Sequence, residues 1–115
     1  MTATFTKIFE FSASHSRGAK VTGHNYTLEA TFAAADASAE RGLEEKIDKA
    51  LIQKVHSRDL GQHVDFLKGR PLDDLSLLNS FWTVVAEATR PAELRALSLR
   101  RDRRTRWTLK NGPVP

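Results

Sequence analysis

Two segments near the start of the chain alternate apolar and polar residues, and only a short connection separates them. Residues 4–15 place apolar side chains at every second position over much of their length, and residues 24–35 do the same. Successive side chains of a strand point to opposite faces, so this period of two predicts two half-buried strands. The connection, residues 16–23, contains Gly18 and Gly23, and antiparallel pairing of the two strands is the simplest arrangement.

In the rest of the chain, the spacing of the apolar residues changes twice. Residues 39–57 and 75–89 repeat apolar side chains at helical spacing and predict two helices. Residues 94–101 and 105–110 return to strand-like patterns and predict a closing hairpin. The predicted order is therefore ββααββ, which indicates an α+β fold with one four-stranded antiparallel sheet and two helices on one face.

The chain has 115 residues, which corresponds to a single domain, 1–115, whose tail, 111–115, is expected to be frayed. Cysteine is absent, which excludes disulfides, thiolate metal ligands and thiol nucleophiles. No apolar run reaches the length of a membrane span, and residues 1–11 lack the continuous apolar centre of a signal peptide. These features predict a cytoplasmic protein with no membrane partner.

Basic residues are concentrated near the C-terminal end of a chain whose net charge is +4. Residues 90–110 contain eight basic residues and only two acidic ones. The arginines within 100–106 suit either ion pairs with the acidic first helix of a neighbouring copy or a patch for phosphate groups or nucleic acid. Arg100 and Arg101 would point to opposite faces of a strand, and few aromatic residues lie among the arginines, so we do not expect a nucleic-acid partner.

Two histidines stand at the edges of the alternating segments. His15 ends the stretch Phe11-Ser12-Ala13-Ser14-His15, and His24 belongs to Gly23-His24-Asn25-Tyr26. Neighbouring strands would bring the two histidines together, either as a metal-binding pair or as structural residues.

These two motifs, followed by two predicted helices and a basic hairpin, resemble the 6-pyruvoyl-tetrahydropterin synthase family, which includes the 6-carboxy-tetrahydropterin synthases. The resemblance implies the tunnelling fold, assembled as a hexamer of two stacked trimers, with a pterin site between subunits. It also implies a zinc ion held by three histidines, a cysteine and an Asp-His pair that move protons, and a glutamate that holds the pterin ring.

The resemblance assigns His15 to the first zinc histidine and His24 to the last, while Thr22 stands in place of the middle one. A threonine hydroxyl is a poor zinc ligand, and two histidines alone bind zinc weakly. The family's cysteine has no counterpart here. We therefore expect an incomplete zinc site and no resident cofactor.

The family's Asp-His pair is matched by Gln62 and His63. His63 is therefore the candidate catalytic residue, but Gln62 lacks the charge of the family's aspartate. Asn79 matches an asparagine near the start of the family's second helix and is a candidate ligand contact.

The glutamate that holds the pterin ring falls near Arg101 or Asp102 in this chain. A pterin or guanine edge presents an amino group and a ring N–H, and one carboxylate accepts both hydrogen bonds. Only Asp102 supplies a carboxylate, and the sequence leaves open which of the two residues faces the pocket.

Three hypotheses follow. The first is a divergent homologue that binds a pterin or purine-like ligand between subunits but lacks the family's complete catalytic set. Its ligand contacts would be His15, His24, Asn79 and Asp102.

The second hypothesis is an active zinc-dependent lyase of the family whose third metal ligand comes from elsewhere in the chain, such as Asp65 or Glu29. The third is an assembly or nucleic-acid-binding module that uses the arginine hairpin, and whether any reaction is catalysed stays open.

Overall fold

The computed structural model describes residues 3–17 and 20–115, and it describes no side chain at residues 16, 17, 20 and 21. The strands are β1 (Ala3–Arg17), β2 (Lys20–Ala34), β3 (Arg58–Asp59), β4 (Leu94–Arg100) and β5 (Arg106–Lys110). The helices are α1 (Leu43–Ile47), α2 (Gln53–Val55) and α3 (Asp74–Ala88), and a π-helical turn, Asp48–Ile52, joins α1 to α2. Short 3₁₀ turns occupy Ala37–Glu40 and Asp65–Leu67. None of the helices described has the length and apolar character needed to cross a membrane.

The strands form one sheet in the order β3-β1-β2-β4-β5, in which β3 runs parallel to β1 and every other pair of neighbours is antiparallel. The predicted α+β class is confirmed, but the predicted four-stranded antiparallel sheet and the order ββααββ are wrong in detail. The additional strand, β3, lies between the two helical segments and is only two residues long. A strand of this length is too short for alternation to show in the sequence.

β3 forms because the chain turns back against β1 directly after α2. Ser57 adopts a left-handed conformation, with φ of 59°, and donates its N–H to the carbonyl oxygen of Ser12. The N–H of Ser12 is bonded to Nδ1 of His56 at 3.0 Å, and Leu60 donates its N–H to the carbonyl oxygen of Ser14. These bonds cover the edge of β1 beside the first histidine motif.

β1 and β2 pair along their whole length, with Phe11 directly opposite Tyr26. The two rings stack with centroids 5.1 Å apart. The predicted antiparallel pairing is confirmed, but the predicted connection is too long because both strands continue into residues 16–23. Gly18 lies outside the described residues.

The helices cover one face of the sheet, as predicted. Phe81 of α3 is fully buried and meets the Phe11 ring edge-on, with centroids 6.1 Å apart. Aliphatic and aromatic side chains from both layers fill the space between: Leu28, Phe32, Ile47, Leu51, Val85, Leu97 and Leu99. Burying one such side chain contributes about 1.5–3 kcal/mol, so this layer holds α3 firmly on the sheet.

The first turn of α3 is fixed by an aspartate cap. Asp73 accepts hydrogen bonds from the backbone N–H of Ser76 at 3.0 Å and from its hydroxyl at 2.8 Å. A side-chain oxygen at this position satisfies a helical N–H that has no partner within the helix. Because Asp73 performs the capping, the carboxylate of Asp74 is available to groups on the sheet.

Candidate functional site

The two histidines lie on the helix-covered face of the sheet, near the paired ends of β1 and β2. His15 is directly opposite Thr22, and His24 is directly opposite Ala13, so the two histidines are diagonal neighbours across the pair. Diagonal positions on one face are within reach of ring side chains. The imidazole centroids are 5.6 Å apart.

A cavity of about 480 Å³ opens beside His15, and we call it the His15 cavity. Three parts of the fold form its walls: the end of β1, the first turn of α3, and the turn between β4 and β5. Its polar and aromatic walls include Asp74, Arg101, Asp102 and Trp107. Asp73, which caps α3, also lines the cavity. Apart from this capping group, the cavity combines two carboxylates, a guanidinium, an imidazole and an indole.

The charged wall of the His15 cavity is built around one ion pair. Arg101 Nη2 lies 3.5 Å from Asp74 Oδ2, and the Asp74 side chain is only 17% exposed. This pair ties the turn between β4 and β5 to the first turn of α3. It also keeps a positive charge close to the histidine pair.

Asp102 shapes the turn itself. Its Oδ1 accepts the backbone N–H of Arg104 at 2.8 Å and that of Thr105 at 3.0 Å. These two hydrogen bonds hold the pKa of the Asp102 carboxyl below its usual range, so it is ionised at neutral pH. β4 ends at Arg100, and both Arg101 and Asp102 border the cavity from the turn that follows.

The surroundings of His24 favour its neutral form. Burial lowers the pKa of His24, and the nearby Arg101 and His15 lower it further. The carboxylates of Asp74 and Asp102 act in the opposite direction but are weaker influences. The folded protein therefore binds a proton at His24 less readily than the unfolded chain does.

This difference predicts an acid-sensitive contribution to stability. The unfolded chain takes up the His24 proton near pH 6.5, before the folded protein does, so stability should fall as the pH decreases through that value and below it. We expect the thermal midpoint of wild type to fall more steeply between neutral pH and about pH 5 than that of His24→Gln. Thermal unfolding monitored by circular dichroism across this range measures the difference.

The exposed His63 provides the matched control for this experiment. His63→Gln removes one imidazole without touching the histidine pair, and it should leave the pH profile of wild type unchanged. The prediction would be contradicted if the thermal midpoints of wild type and His24→Gln fell equally steeply with decreasing pH.

Two buried polar atoms beside the site have no hydrogen-bond partner among the described residues: His15 Nε2 and the Tyr26 hydroxyl. Buried polar atoms are almost always paired with protein or with ordered water. Both atoms are therefore candidates to bond with a ligand that enters this region.

The described residues do not fit a three-histidine zinc site. Thr22 is exposed, and no group of three histidine, cysteine, aspartate or glutamate side chains in the described ranges is arranged to hold a metal. Glu29 lies in β2 with the opposite parity to His24 and pairs with Arg106. Asp65 is exposed and pairs with Lys68, so neither proposed substitute ligand lies with the histidines.

Two other predicted site residues lie outside the His15 cavity. His63 is exposed in the turn after β3, and its backbone N–H donates to the Asp59 carbonyl. Asn79 lies in α3, where its amide donates to the Val114 carbonyl at 3.4 Å and accepts the Val114 N–H at 3.1 Å. Among the described residues, His15 and Asp102 line the His15 cavity, while His24 lies beside His15 and lines a neighbouring cavity. His63 and Asn79 line neither cavity.

The sequence analysis did not assign Asp74 or Trp107 to the site. Two consecutive aspartates stand at the start of α3, and the structure shows that Asp73 caps the helix while Asp74 borders the cavity. Trp107 has the same parity as the buried Leu109, a pattern that indicates a core position, yet it is 43% exposed at the cavity wall.

Comparison with solved structures shows that the chain shares its fold with the pterin synthases. No protein-family model matches the sequence, and no curated protein does. The solved structure of 6-pyruvoyl tetrahydropterin synthase from Caenorhabditis elegans matches with a TM-score of 0.72 at 15% identity, covering 97% of both chains. The synthase from Plasmodium falciparum matches with a TM-score of 0.65 at 12% identity, over 94% of this chain and 96% of that one.

An uncharacterised protein from Wolinella succinogenes has the same architecture, with a TM-score of 0.62 at 11% identity over 96% of this chain and 99% of that one. At identities this low, the structural matches establish a shared fold and nothing more. The sequence-based resemblance to the pterin synthases is confirmed at that level.

Proposed function

We propose that this chain is a divergent 6-pyruvoyl tetrahydropterin synthase homologue that binds a pterin or purine-like heterocycle in the His15 cavity. The observation that carries the proposal is the wall of that cavity, where an exposed indole stands beside two carboxylates. Binding sites for planar heterocycles need a flat apolar surface and a few polar groups that fix orientation.

The carboxylates match the edge of such a ring. A pterin or guanine edge offers an amino group and a ring N–H side by side, and an ionised carboxylate accepts hydrogen bonds from such donors. Asp102 is ionised at neutral pH and uses Oδ1 for its two turn hydrogen bonds, which leaves Oδ2 to accept from the ligand edge. Asp74 is held by Arg101, so Asp102 is the better acceptor for the ligand edge.

The indole of Trp107 supplies a stacking surface. Aromatic side chains stack on planar bases in offset arrangements that contribute beyond simple burial. Trp107 lies opposite Leu99 in the sheet and is 43% exposed, so part of its indole is accessible to a ligand in the cavity.

We further propose that the chain does not carry out the zinc-dependent elimination that the resemblance implies. Three requirements are unmet together: a cysteine, a charged partner for His63, and a third histidine beside His15 and His24. Catalytic groups that act as a unit lose nearly all activity when one of them is removed.

The proposed site lies at an oligomer interface, as the resemblance implies for a hexamer. In the described residues, β1 pairs with β3 only at Ala13 and Ser14, so most of its outer edge has no partner strand. β5 forms the other edge of the sheet. Open edges of this kind accept strands from neighbouring subunits.

Fluorescence titration with neopterin and with guanine tests the binding proposal, because Trp107 borders the cavity and reports on its occupancy. Asp102→Asn keeps an oxygen for the turn but removes the charge, and it should weaken binding about tenfold or more. Asp36→Asn is the matched control, since Asp36 also accepts a backbone N–H, from Ser38, at a turn remote from the cavity. This control should bind as wild type does.

Equal losses in the two variants, or no saturable signal with either compound, would contradict the binding proposal. Zinc content of protein purified without chelator separates this proposal from an active lyase. We expect far less zinc than protein, whereas stoichiometric zinc would favour the zinc-dependent enzyme.

A further inference from the structure

A second cavity, of about 350 Å³, lies at the β3 edge of the sheet, and we call it the serine cavity. Its lining includes the hydroxyl-bearing residues Ser12, Ser14 and Ser57 together with Asn25 and Arg58. Among the described residues, none lines both this cavity and the His15 cavity. His24 also lines the serine cavity, so the histidine pair separates the two cavities.

The register of β1 and β2 builds one side of the serine cavity. Ser12 pairs with Asn25, and Ser14 pairs with Gly23, so all four positions share the face opposite to the helices. Gly23 has no side chain, and a Cβ added there would meet no atom within 4 Å. The glycine thus keeps this part of the face open.

The turn after α2 builds the other side. The left-handed conformation of Ser57 folds the chain back onto β1, where its N–H donates to the carbonyl of Ser12 at 2.6 Å. The next residue, Arg58, then lies beside Ala13 at the sheet edge. A guanidinium is in this way placed next to the row of serines.

The hydrogen bonds among the residues of the serine cavity leave some of its donors unused. The hydroxyl of Ser12 donates to Asn25 Oδ1 at 2.6 Å, which leaves the amide NH₂ of Asn25 available. Asp59, the nearest carboxylate along β3, accepts the backbone N–H groups of Gly61 and Gln62 through Oδ1 at 3.1 Å. Its Oδ2 lies 3.5 Å from the hydroxyl of Ser14.

Arg58 is the charged side chain that lines the serine cavity. It makes no ion pair with any described residue, and no acidic side chain is among the described lining residues. The Asp59 carboxylate lies behind Ser14 and is occupied by hydrogen bonds from Gly61, Gln62 and Ser14. The strand sequence that contributes to it, residues 11–28, contains no aspartate or glutamate. A guanidinium without a carboxylate partner, set among hydroxyl and amide donors, matches the needs of a tetrahedral oxyanion.

We propose that the serine cavity binds a single phosphate group, with Arg58 as the charged anchor and the Asn25 amide and Ser57 hydroxyl as neutral donors. The planar guanidinium donates two parallel N–H bonds to two phosphate oxygens, while the neutral donors reach a third. None of these three residues lines the His15 cavity, although His24 lies between the two cavities.

Isothermal titration calorimetry with inorganic phosphate and with glycerol phosphate tests this proposal on the full chain. Arg58→Gln should weaken phosphate binding about tenfold or more, and Gly23→Val, which fills the cavity, should abolish it. Arg103→Gln is the matched control, because Arg103 is exposed in the β4–β5 turn and makes no ion pair with a described residue. Its affinity for phosphate should stay within about twofold of wild type.

Thermal unfolding verifies that each variant is folded, and Arg58→Gln tests the site even if Gly23→Val does not fold. Tighter binding of glycerol phosphate than of inorganic phosphate would support a site for phosphate monoesters, and equal binding would support one for the free ion. Equal losses in Arg58→Gln and Arg103→Gln, or no saturable heat with either compound, would overturn the proposal. Asp102→Asn should leave phosphate affinity unchanged, so failure of this site and failure of the heterocycle site are distinguishable.

Discussion

Replacing Phe81 with alanine is expected to lower the free energy of unfolding by about 3–5 kcal/mol. The Phe81 ring is fully buried and contacts both Phe11 of the sheet and Phe66 of the second 3₁₀ turn. Its removal leaves a void that three different elements would have to close. Domains of this size are stable by only about 5–15 kcal/mol, so urea denaturation should show a large shift in midpoint.

Thr83→Ala is the matched control for this change, because Thr83 is exposed on the same helix. We expect it to alter stability by less than about 0.5 kcal/mol. Similar losses in the two variants would show that α3 responds to any change of sequence rather than to loss of the core contact.

The packing of Phe81 also matters for the site. Asp74 precedes Phe81 by two helical turns on the same face of α3. The contact between Phe81 and Phe11 helps to fix the position of α3 on the sheet, and Asp74 in the first turn of α3 borders the cavity. We therefore expect Phe81→Ala to lower the affinity for the heterocycle as well as the free energy of unfolding.

Replacing Tyr26 with phenylalanine is expected to stabilise the protein by about 1 kcal/mol, because a buried hydroxyl without a partner costs free energy that a phenyl ring does not. Tyr26 is 1% exposed, and its hydroxyl has no hydrogen-bond partner among the described residues. Its stacking on Phe11 needs only the ring, which the variant keeps. Urea denaturation of the two proteins side by side measures the difference.

The alkaline titration of Tyr26 provides an independent measurement. Burial raises the pKa of Tyr26 to about 12, with a further contribution from Asp74. The unfolded chain ionises first, so wild type should lose stability as the pH rises from about 10 towards 12, and Tyr26→Phe should lose less. Tyr26 is the only tyrosine of the chain, so the tyrosinate absorbance reports on this residue alone.

A destabilised Tyr26→Phe variant would contradict this expectation and would show that the hydroxyl has a bonding partner in solution. A normal tyrosinate titration near pH 10 would contradict the burial of the ring.

Periodicity was enough to predict the large elements of the fold. The alternation in β1 and β2 and the helical spacing in α3 record which side chains are buried, and burial is what a sequence pattern encodes. β3 was not predicted, because hydrogen bonds that Ser57 and Leu60 donate to β1 hold its two residues in place. Such bonds leave no periodic pattern of apolar residues in the sequence. The boundaries of the first helical segment also differed, since it runs from Leu43 to Val55 and includes a π-helical turn.

The sequence predicted contact between two side chains of the candidate site only for the two histidines, which lie on paired strands. His15 and His24 were expected to meet, and the strand register places their rings 5.6 Å apart. Asn79 was matched to a ligand contact, but its amide bonds the backbone of Val114 instead. A side chain on a helix can reach several neighbours, and only the packed chain determines which one it meets.

The sequence by itself determined the α+β class, the pairing of the first two strands and the absence of a thiol, because each depends on residue type or on local period. The tertiary structure alone decided that Asp74, Arg101 and Trp107 border one cavity with His15. It also decided that Arg58 lies beside the serines of β1. Residues that are distant along the chain meet only when the sheet and helices pack, and no local pattern records such a meeting.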